Sequence, residues 1–490
     1  MRASLRRYRL CVWLLAALCC WSGGLAAPPR AAAAAEGITP LLLGSLQNSD
    51  TATVTPADRL FSALAAQATS SIDIALYDFN RASVRDALIA AKARGLAVRL
   101  VGDNLDAADP AYSAYYQAVA SAGIPVVTDA SDSLMHNKFA VFDRSVTWTG
   151  SANFSDNAFV RNGENVVVIT STVVADIYGA EFAEMFGGKF HNQKTDNTAH
   201  SASVAGSAVE VAFAPTDNVE SRMVAALNSA QTSIGVAMFT FTSAPLAQAL
   251  IAAHSRGVAV EVLLETASAA SQFSQRDALC AAGVTVRVED WQPKLHDKYA
   301  VIDAGTASDP QIITGSTNWT SSAVSANDEN MLIVHSAAVA GAFASDFARL
   351  RGAIGAGAFV CNAGPNPAPE HVQFIPLALG DPPPAQGQAR IVAIDAAPPV
   401  ALDESVLIRN VGGAALAMGG YTLSDAANTT YTFPAFTLAA GAEVRVWVKA
   451  GADDAANLYW GRGQPVWNNG GDTATLRDAQ GTVVSTFSYP

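Results

Sequence analysis

Two short segments of this 490-residue sequence carry the same chemically active residues at the same spacing. Each has a histidine, a lysine two positions later and an aspartate seven positions after the histidine: His136, Lys138 and Asp143, then His296, Lys298 and Asp303. The apolar residues between lysine and aspartate predict a β-strand, in which alternate side chains share a face. Each histidine therefore shares a face with its lysine. The aspartates have the opposite parity, and we expect them to secure a turn or hold a supporting position rather than touch a substrate.

A serine, an asparagine and a glutamate follow each segment in the same order. They are Ser151, Asn153 and Glu164 in the first copy and Ser316, Asn318 and Glu329 in the second. Each serine and asparagine belongs to a Gly-Ser-x-Asn sequence, which predicts a tight turn with hydroxyl and amide groups suited to phosphate oxygens. Two copies that face each other across a pseudo-two-fold axis would surround one phosphate with two imidazoles, two ammonium groups and two amides.

The polar residues lie on a duplicated frame. Residues 71–100 and 233–262 match at about half of their positions with a constant offset of 162, which indicates an internal duplication. Each copy begins with a β-prone apolar run, continues as a helix that ends at Arg94-Gly95 or Arg256-Gly257, and is followed by a second strand. This β-α-β order predicts two related α/β halves, each with a sheet between helices.

Aromatic residues follow the first strand of each copy, in Tyr77-Asp78-Phe79 and Phe239-Thr240-Phe241. Loops at this position in open α/β sheets commonly border a ligand crevice, so one interpretation places these residues at a substrate entrance. The alternative is that they are core residues that close the sheet edge. The sequence leaves both interpretations open.

The paired sequences HNKFAVFD…GSAN and HDKYAVID…GSTN resemble the duplicated HxKxxxxD motif of the phospholipase D superfamily. The resemblance covers roughly residues 40–362 and implies two phospholipase D-like α-β-α sandwich halves, predicted at 38–200 and 201–362, around one active site. It implies a phosphoric diester hydrolase. The short halves are similar to the compact, nuclease-like branch of the superfamily rather than to its longer secreted lipases.

The resemblance also implies roles for the repeated residues. His136 is expected to attack phosphorus and form a phosphohistidine, with His296 as acid and base, although the symmetry of the motifs leaves this order open. The groups expected to hold the phosphate are Lys138, Lys298, Asn153, Asn318, Ser151 and Ser316. Glu164 and Glu329 are expected to orient the imidazoles, the alternative being plain surface glutamates. This mechanism requires no metal ion and no cofactor.

Two substrate classes fit this chemistry. The first is a phosphatidyl lipid, cleaved to phosphatidic acid and a free head group, and the alternative is DNA or RNA cleaved by a metal-independent endonuclease. A formal net charge of −13 disfavours generic adhesion to nucleic acid. A catalytically inactive binding protein is disfavoured because every member of both motifs is present. We expect a monomer without stable membrane insertion, since one chain carries both motifs.

The N-terminus predicts export. Four arginines within the first nine residues precede an uncharged apolar run at 10–18 and a stretch of small residues, which is typical of a secretory signal over residues 1–27. A retained anchor is the alternative, but the run is shorter than the ~20 residues that span a bilayer. We therefore expect a secreted or periplasmic protein. Removal of the signal leaves Cys280 and Cys361, either as a disulfide or as two buried thiols.

The C-terminal residues have a different composition. Residues 363–388 are rich in proline and predict a semi-extended linker. Residues 389–490 consist of short alternating runs between turn residues, which predict an all-β, Ig-like sandwich. The stretches GGYTLSD, YTFPAFTLAAG and VWNNGGDTATLRDAQGTVV resemble the lamin-tail domain of secreted bacterial hydrolases. We expect an accessory binding or stabilising module, or a passive spacer.

Overall fold

The computed structural model describes residues 36–362 except 48, and residues 387–489 except 397–401, 403, 413, 440, 441 and 469–471. The predicted signal at 1–27, and residues 363–386 of the predicted linker, lie outside the described residues. In the first half the strands are β1 Gly37–Leu43, β2 Ser71–Leu76, β3 Ala97–Gly102, β4 Val126–Thr128, β5 Phe139–Phe142, β6 Val146–Gly150 and β7 Glu164–Thr170. Its helices are α1 Pro56–Gln67, α2 Ala82–Ala93, α3 Asn104–Ala108, α4 Ser113–Ser121, α5 Asp156–Val160 and α6 Thr172–Phe186.

The second half repeats this arrangement after a short 3₁₀ turn at His191–Gln193. Its strands are β8 Ser201–Val204, β9 Ser207–Ala214, β10 Ser233–Met238, β11 Ala259–Leu264, β12 Thr285–Val288, β13 Lys298–Ile302, β14 Gln311–Gly315, β15 Glu329–His335 and β16 Val360–Cys361. Its helices are α7 Val219–Ser229, α8 Ala244–Ser255, α9 Thr266–Ala269, α10 Arg276–Ala281, α11 Ser321–Ser325 and α12 Ala337–Ala353.

The two sheets have equivalent topology, as the duplication predicts. The first has the strand order β1-β7-β6-β5-β2-β3-β4, and the second has the order β16-β12-β11-β10-β13-β14-β15-β9-β8. In each sheet the duplicated β-α-β unit supplies two adjacent parallel strands, β2 with β3 and β10 with β11. The motif strands β5 and β13 run antiparallel beside β2 and β10. Gly95 and Gly257 follow the crossover helices with positive φ of 96° and 93°, the left-handed conformation predicted for a helix C′ position.

A core common to both halves fixes the sheets relative to each other. Its buried residues come from both sheets and from α6 and α12, and include Phe139, Phe182, Tyr299 and Phe343. Two further cores lie on the outer faces, one beneath α1, α2 and α4 and one beneath α7, α8 and α10. Each sheet therefore has helices on both faces, which confirms the predicted α-β-α sandwich halves. The residue limits proposed for the halves stay predictions.

The C-terminal region is all-β, as predicted. Its strands are β17 Ala389–Asp395, β18 Ser405–Asn410, β19 Leu416–Ala417, β20 Thr422–Ser424, β21 Thr430–Thr432, β22 Thr437–Leu438, β23 Glu443–Trp447, β24 Asn457–Tyr459, β25 Asp472–Arg477 and β26 Val483–Tyr489. Two four-stranded sheets, β17-β18-β23-β24 and β21-β20-β25-β26, bury one core between them, in which Val406 and Leu476 are fully inaccessible. This arrangement is an Ig-like sandwich.

Cys280 and Cys361 form a disulfide, which decides between the two possibilities left by the sequence. Their Cα atoms are 5.8 Å apart, and the bond ties α10 to the edge strand β16. No helix within the described parts of the chain has both the length and the apolar character needed to cross a membrane.

The disulfide closes a chain segment of 81 residues, so its loss should release considerable entropy in the unfolded chain. We expect the double substitution Cys280→Ser and Cys361→Ser to lower the free energy of unfolding of the second half by about 2–5 kcal/mol. Urea denaturation followed by circular dichroism measures this change. Reduction of the parent protein with dithiothreitol should produce the same shift, and superimposable curves in all three cases would contradict it.

Candidate active site

The repeated histidines and lysines lie at the start of the central strands β5 and β13. All four side chains are buried, with residual exposure of 6% for His136, 0% for Lys138, 7% for His296 and 2% for Lys298. Each lysine folds back on its own segment, since Lys138 Nζ donates to the His136 carbonyl at 2.8 Å and Lys298 Nζ donates to the His296 carbonyl at 2.7 Å. Both lysines are therefore held against the backbone of their own histidine.

Backbone hydrogen bonds join the segment before each motif strand to the opposite half. The His136 N–H donates to the Asp328 carbonyl at 2.9 Å, and the His296 N–H donates to the Gly163 carbonyl at 2.9 Å. Asp328 and Gly163 directly precede the glutamates of the two motifs. Each histidine is thus attached to the start of the glutamate strand of the other half.

The side chains also make contacts between the halves, because each imidazole contacts the glutamate of the other half. His136 Nδ1 lies 2.8 Å from both carboxylate oxygens of Glu329, and His296 Nδ1 lies 2.6 Å from Glu164 Oε1. Both glutamates are fully buried, so the surface interpretation of these residues is wrong. A carboxylate at Nδ1 favours the tautomer with its proton there, so Nε2 of each ring faces away from the glutamate. Nε2 of His296 lies 3.3 Å from Lys298 Nζ. The cross-exchange brings both imidazoles to one interface between the halves.

Ser151 and Ser316 do not have the predicted position of phosphate ligands. Ser151 Oγ donates to Glu164 at 2.7 Å, Ser316 Oγ donates to Glu329 at 2.6 Å, and both serines are fully buried. Each hydroxyl also accepts the N–H of the residue after the glutamate, Asn165 or Asn330. The serines therefore hold the carboxylates that orient the imidazoles, and the tight turn directs them into the protein.

The two asparagines of the Gly-Ser-x-Asn turns differ in their surroundings. Asn153 Nδ2 donates to Asp78 at 2.7 Å, which fixes the orientation of its amide. The Oδ1 atoms of Asn153 and Asn318 are buried and have no hydrogen-bond partner among the described residues. Their predicted role in binding phosphate stays a prediction.

Asp143 and Asp303 secure backbone, as their strand parity predicts, and do not orient the imidazoles. Asp143 accepts three N–H groups at the start of β2, from Thr69, Ser70 and Ser71, at 2.8–2.9 Å. Asp303 makes the equivalent contacts at the start of β10. Each lies beyond the far end of its motif strand and holds the start of the neighbouring strand, which is a supporting position.

Four buried polar residues complete the interface and were missed by the sequence reasoning. The residue between histidine and lysine contacts the residue after the opposite glutamate: Asp297 Oδ1 accepts from Asn165 at 2.8 Å, and Asn137 Oδ1 accepts from Asn330 at 3.0 Å. All four side chains are fully buried. A polar residue on the core-facing side of an otherwise apolar strand was the available signal, because such groups require a partner when buried.

Of the aromatic residues that follow the first strand of each copy, some border the site and others belong to the core. The rings of Tyr77 and Phe239 lie 4.8 Å and 4.5 Å from the imidazoles of His136 and His296, and both are partly exposed. Phe79 and Phe241 are buried in the outer cores. The first aromatic of each tripeptide therefore borders the site, and the second belongs to the core.

Burial depresses the basicity of the cationic groups. It lowers the pKa of Lys138 to about 8 and the pKa of Lys298 to about 7, against the attraction of Glu329 and Glu164 respectively. Burial and then the neighbouring Lys298 hold the pKa of His296 well below its usual value, while Glu329 partly offsets the fall in the pKa of His136. A dianionic or monoanionic phosphate between the lysines would favour their charged forms.

Comparison with known proteins identifies the fold and the family. A model described as "Cardiolipin synthase, PLD-like domain" matches residues 61–186 and 223–351, which is just over half of the chain. The chain belongs to the phospholipase D superfamily. A model of the lamin tail domain matches residues 382–490, in agreement with the C-terminal sandwich. The chain therefore combines two phospholipase D-like halves with a C-terminal lamin-tail domain.

Individual relatives match parts of the chain. A mitochondrial cardiolipin hydrolase of Xenopus tropicalis is 39% identical over 135 residues, which is 28% of this chain and 62% of the relative. A phospholipase D of Rickettsia bellii is 28% identical over 137 residues, covering 28% of this chain and 66% of the relative. The match thus spans less than two thirds of either relative. The phosphatidylserine synthase of Haemophilus influenzae shares the fold at 14% identity, with a TM-score of 0.51 over 66% of this chain and 87% of that protein.

The contact between His136 and the carboxylate of Glu329 leads to a prediction about pH dependence. Glu329→Gln removes a charge that raises the pKa of His136, so one limb of the profile of kcat/KM against pH should move to lower pH. The high-pH limb moves if His136 must be protonated, and the low-pH limb moves if it must be neutral. We also expect kcat to fall by about 10²–10⁴, since the tautomer is no longer enforced. Glu184→Gln, which removes a carboxylate bound to Thr195, is the control, and an unshifted Glu329→Gln profile would refute the coupling.

Proposed function

We propose that the protein hydrolyses phosphatidyl lipids to phosphatidic acid and a free head group through a phosphohistidine intermediate. The observation that carries the proposal is the reciprocal contact of each imidazole with the carboxylate of the other half, His136 with Glu329 and His296 with Glu164. Two imidazoles at one interface, each with a carboxylate at Nδ1, can supply the nucleophile and the acid that a two-step displacement requires.

The chemistry follows from the charges. One imidazole attacks phosphorus while the other protonates the leaving alcohol, and the second imidazole then removes a proton from the water that cleaves the phosphohistidine. Lys138 and Lys298 stabilise the negative charge on the non-bridging oxygens, and their burial makes this interaction stronger than it would be in water. The expected order, with His136 as nucleophile, stays a prediction because the site is nearly symmetric.

Several features favour a lipid over a nucleic acid. Relatives of the chain are named cardiolipin hydrolase and phospholipase D. Helix α3, which follows β3, carries Asp106 and the half-exposed Leu105 and is followed by Asp109. The segment between α9 and α10 carries Phe273, which is 68% exposed, and residues 266–275 include no charged side chain. A channel for a nucleic acid would require cationic groups at these positions. Exposed apolar side chains suit contact with a lipid surface.

We infer that the protein is exported and acts as a monomer. The signal-like N-terminal sequence and the Cys280–Cys361 disulfide support export, because disulfides persist in oxidising compartments. The exchange of catalytic partners between two halves of one chain supports a monomer. The lamin-tail domain is proposed as an accessory module or spacer.

Substitution of either histidine tests the reaction. His136→Ala and His296→Ala should each abolish turnover of bis(p-nitrophenyl) phosphate while leaving the circular dichroism spectrum unchanged, since neither imidazole can replace the other in both steps. His335→Ala, which changes a histidine at the end of β15, is the matched control and should retain the parental rate. Near-parental turnover in either active-site variant would contradict the two-histidine mechanism.

The substrate class is tested by direct competition. The mature protein is incubated in EDTA with phospholipid vesicles and with plasmid DNA, and released head group is scored against nicking. Release of head group without nicking is expected. DNA cleavage alone would assign the protein to the endonucleases, and loss of all activity in EDTA would indicate a metal-dependent reaction.

The exposed Phe273 gives a more specific test of the lipid surface. Phe273→Ser should lower the ratio of the rate on vesicles to the rate on bis(p-nitrophenyl) phosphate by about 10- to 100-fold, because a buried aromatic ring contributes roughly 1.5–3 kcal/mol to interfacial binding. Val173→Ser removes a similarly exposed apolar side chain from the start of α6 and serves as the control. Equal ratios for the two variants would contradict a role of this loop in binding lipid.

A further inference from the structure

The two halves of the active site are not chemically equivalent, although their frames are. Asp103 at the end of β3 accepts the N–H of Asp106 at 3.1 Å, and Glu265 at the end of β11 accepts the N–H of Ser268 at 2.6 Å. Asp106 and Ser268 therefore occupy corresponding positions. Asp78 and Thr240 also correspond, since each follows the aromatic residue that contacts an imidazole.

The corresponding pairs carry different charges. In the second half Thr240 Oγ1 and Ser268 Oγ lie 3.3 Å apart and form a neutral contact. In the first half the corresponding positions hold two acids, Asp78 and Asp106, and Asp78 is close enough to Asp106 and Tyr112 to raise the pKa of both. We call Tyr77, Asp78, Asp106 and Tyr112 the acidic lobe. Burial and the proximity of Asp78 raise the pKa of Asp106 to about 8.

The acidic lobe belongs to the substrate side of the site. Tyr77 contacts the His136 imidazole, and Lys138 Nζ lies 5.2 Å from the centre of the Tyr77 ring. Asp78 also binds the amide of Asn153. Carboxylates beside a centre that binds a phosphate anion are unfavourable unless a cation accompanies the phosphate. Lys138 supplies one positive charge, but it is shared with Glu329 and Glu164.

Two buried oxygens of this region lack a donor. Asp106 Oδ2 and Asn153 Oδ1 accept no hydrogen bond from any described residue, and their side chains belong to residues that are only 8% and 4% exposed. Buried acceptors of this kind are normally satisfied. A primary ammonium group carries three N–H donors and a positive charge, and the faces of Tyr77 and Tyr112 suit a cation as well.

We propose that the acidic lobe binds the ammonium group of an amino-alcohol head group, so that the preferred substrate is a phosphatidyl lipid with a primary amine, such as phosphatidylethanolamine. This inference rests on the proposed lipid hydrolase function. A quaternary ammonium has no N–H to offer the two oxygens, and a glycerol head group has no charge. The expected preference is therefore for ethanolamine over choline, and for choline over glycerol.

The position of the head group also determines which histidine is the nucleophile and which is the acid. The oxygen that joins the head group to phosphorus lies beside His136 when the ammonium group occupies the acidic lobe. His296 Nε2 then forms the bond to phosphorus as the bond to the head-group oxygen breaks, and this oxygen takes the proton from His136 Nε2. Water next gives a proton to His136 as its oxygen displaces His296 from phosphorus. This order is the reverse of the one expected from the resemblance.

Head-group preference is measured by internal competition. Mixed vesicles contain equal amounts of phosphatidylethanolamine and phosphatidylglycerol in phosphatidylcholine, and the ratio of released ethanolamine to released glycerol reports the ratio of kcat/KM. Asp106→Asn should lower this ratio by about 10- to 100-fold, the effect of losing a charge-assisted hydrogen bond. Asp106→Ser, which introduces the residue found at position 268, should give the same result. Thr240→Asn, at the position corresponding to Asp78, is the matched control and should change the ratio by less than about twofold.

The outcomes separate this inference from the proposed function. Release of all three head groups at similar rates, or an unchanged ratio in folded Asp106→Asn and Asp106→Ser, would overturn the acidic-lobe proposal and leave lipid hydrolysis standing. Cleavage of no lipid would overturn both. Thermal unfolding of each variant confirms that it is folded, and if Asp106→Asn does not fold, Asp78→Asn is compared with Thr240→Asn in its place.

The assignment of the histidines has its own test. p-Nitrophenolate leaves without protonation, so His136→Ala should release one equivalent of p-nitrophenol from bis(p-nitrophenyl) phosphate and stall as a phosphohistidine on His296. His296→Ala should release none. Rapid quenching and peptide mass spectrometry locate the phosphorylated residue. A phosphorylated His136 in the His296→Ala variant would refute the assignment.

Discussion

The structure of the site depends on the exchange of carboxylates between the halves. Neither half orients its own histidine. The carboxylate that contacts each imidazole comes from the other half, in the pairs His136–Glu329 and His296–Glu164. The sheets must therefore lie in one specific relation, and the shared core around α6 and α12 supplies it. Backbone bonds from His136 and His296 to the opposite half fix the same relation at the site itself.

This exchange also explains how the site can bury so many polar groups, because their partners offset the free-energy cost of removing them from water. Isolated charges are costly to bury, but here each carboxylate has both an imidazole and a serine hydroxyl as partners. The lysines remain the least compensated groups, which is why burial lowers their pKa values to about 8 and about 7. In the proposed reaction a bound phosphate supplies the missing negative charge. The site would then be organised in advance for the charge that appears during reaction, as electrostatic catalysis requires.

Much of the fold was predictable from the sequence because it repeats local patterns. The constant offset between the copies, the alternation in β5 and β13, and the glycines after α2 and α8 each report on local backbone geometry. The partners of buried groups depend instead on contacts between residues far apart in the chain. For this reason the sequence showed that Ser151 is polar and near a turn, yet not that it faces Glu164 instead of the phosphate. The Cys280–Cys361 pairing was open for the same reason.

A duplicated frame poses a chemical problem for the proposed reaction, because a two-step displacement needs one imidazole as nucleophile and the other as acid. Equal surroundings would give equal proton affinities, so the symmetry must be broken by residues outside the repeated motif. The residue between histidine and lysine is one such position, where Asn137 is neutral and Asp297 is an acid whose pKa burial raises to about 8. The aromatic contact is another, since Tyr77 meets His136 and Phe239 meets His296. The largest difference in charge lies between Asp78 with Asp106 and their neutral counterparts Thr240 and Ser268. Because Asp78 and Thr240 each follow the aromatic residue that contacts an imidazole, this difference in charge distinguishes the surroundings of the two histidines.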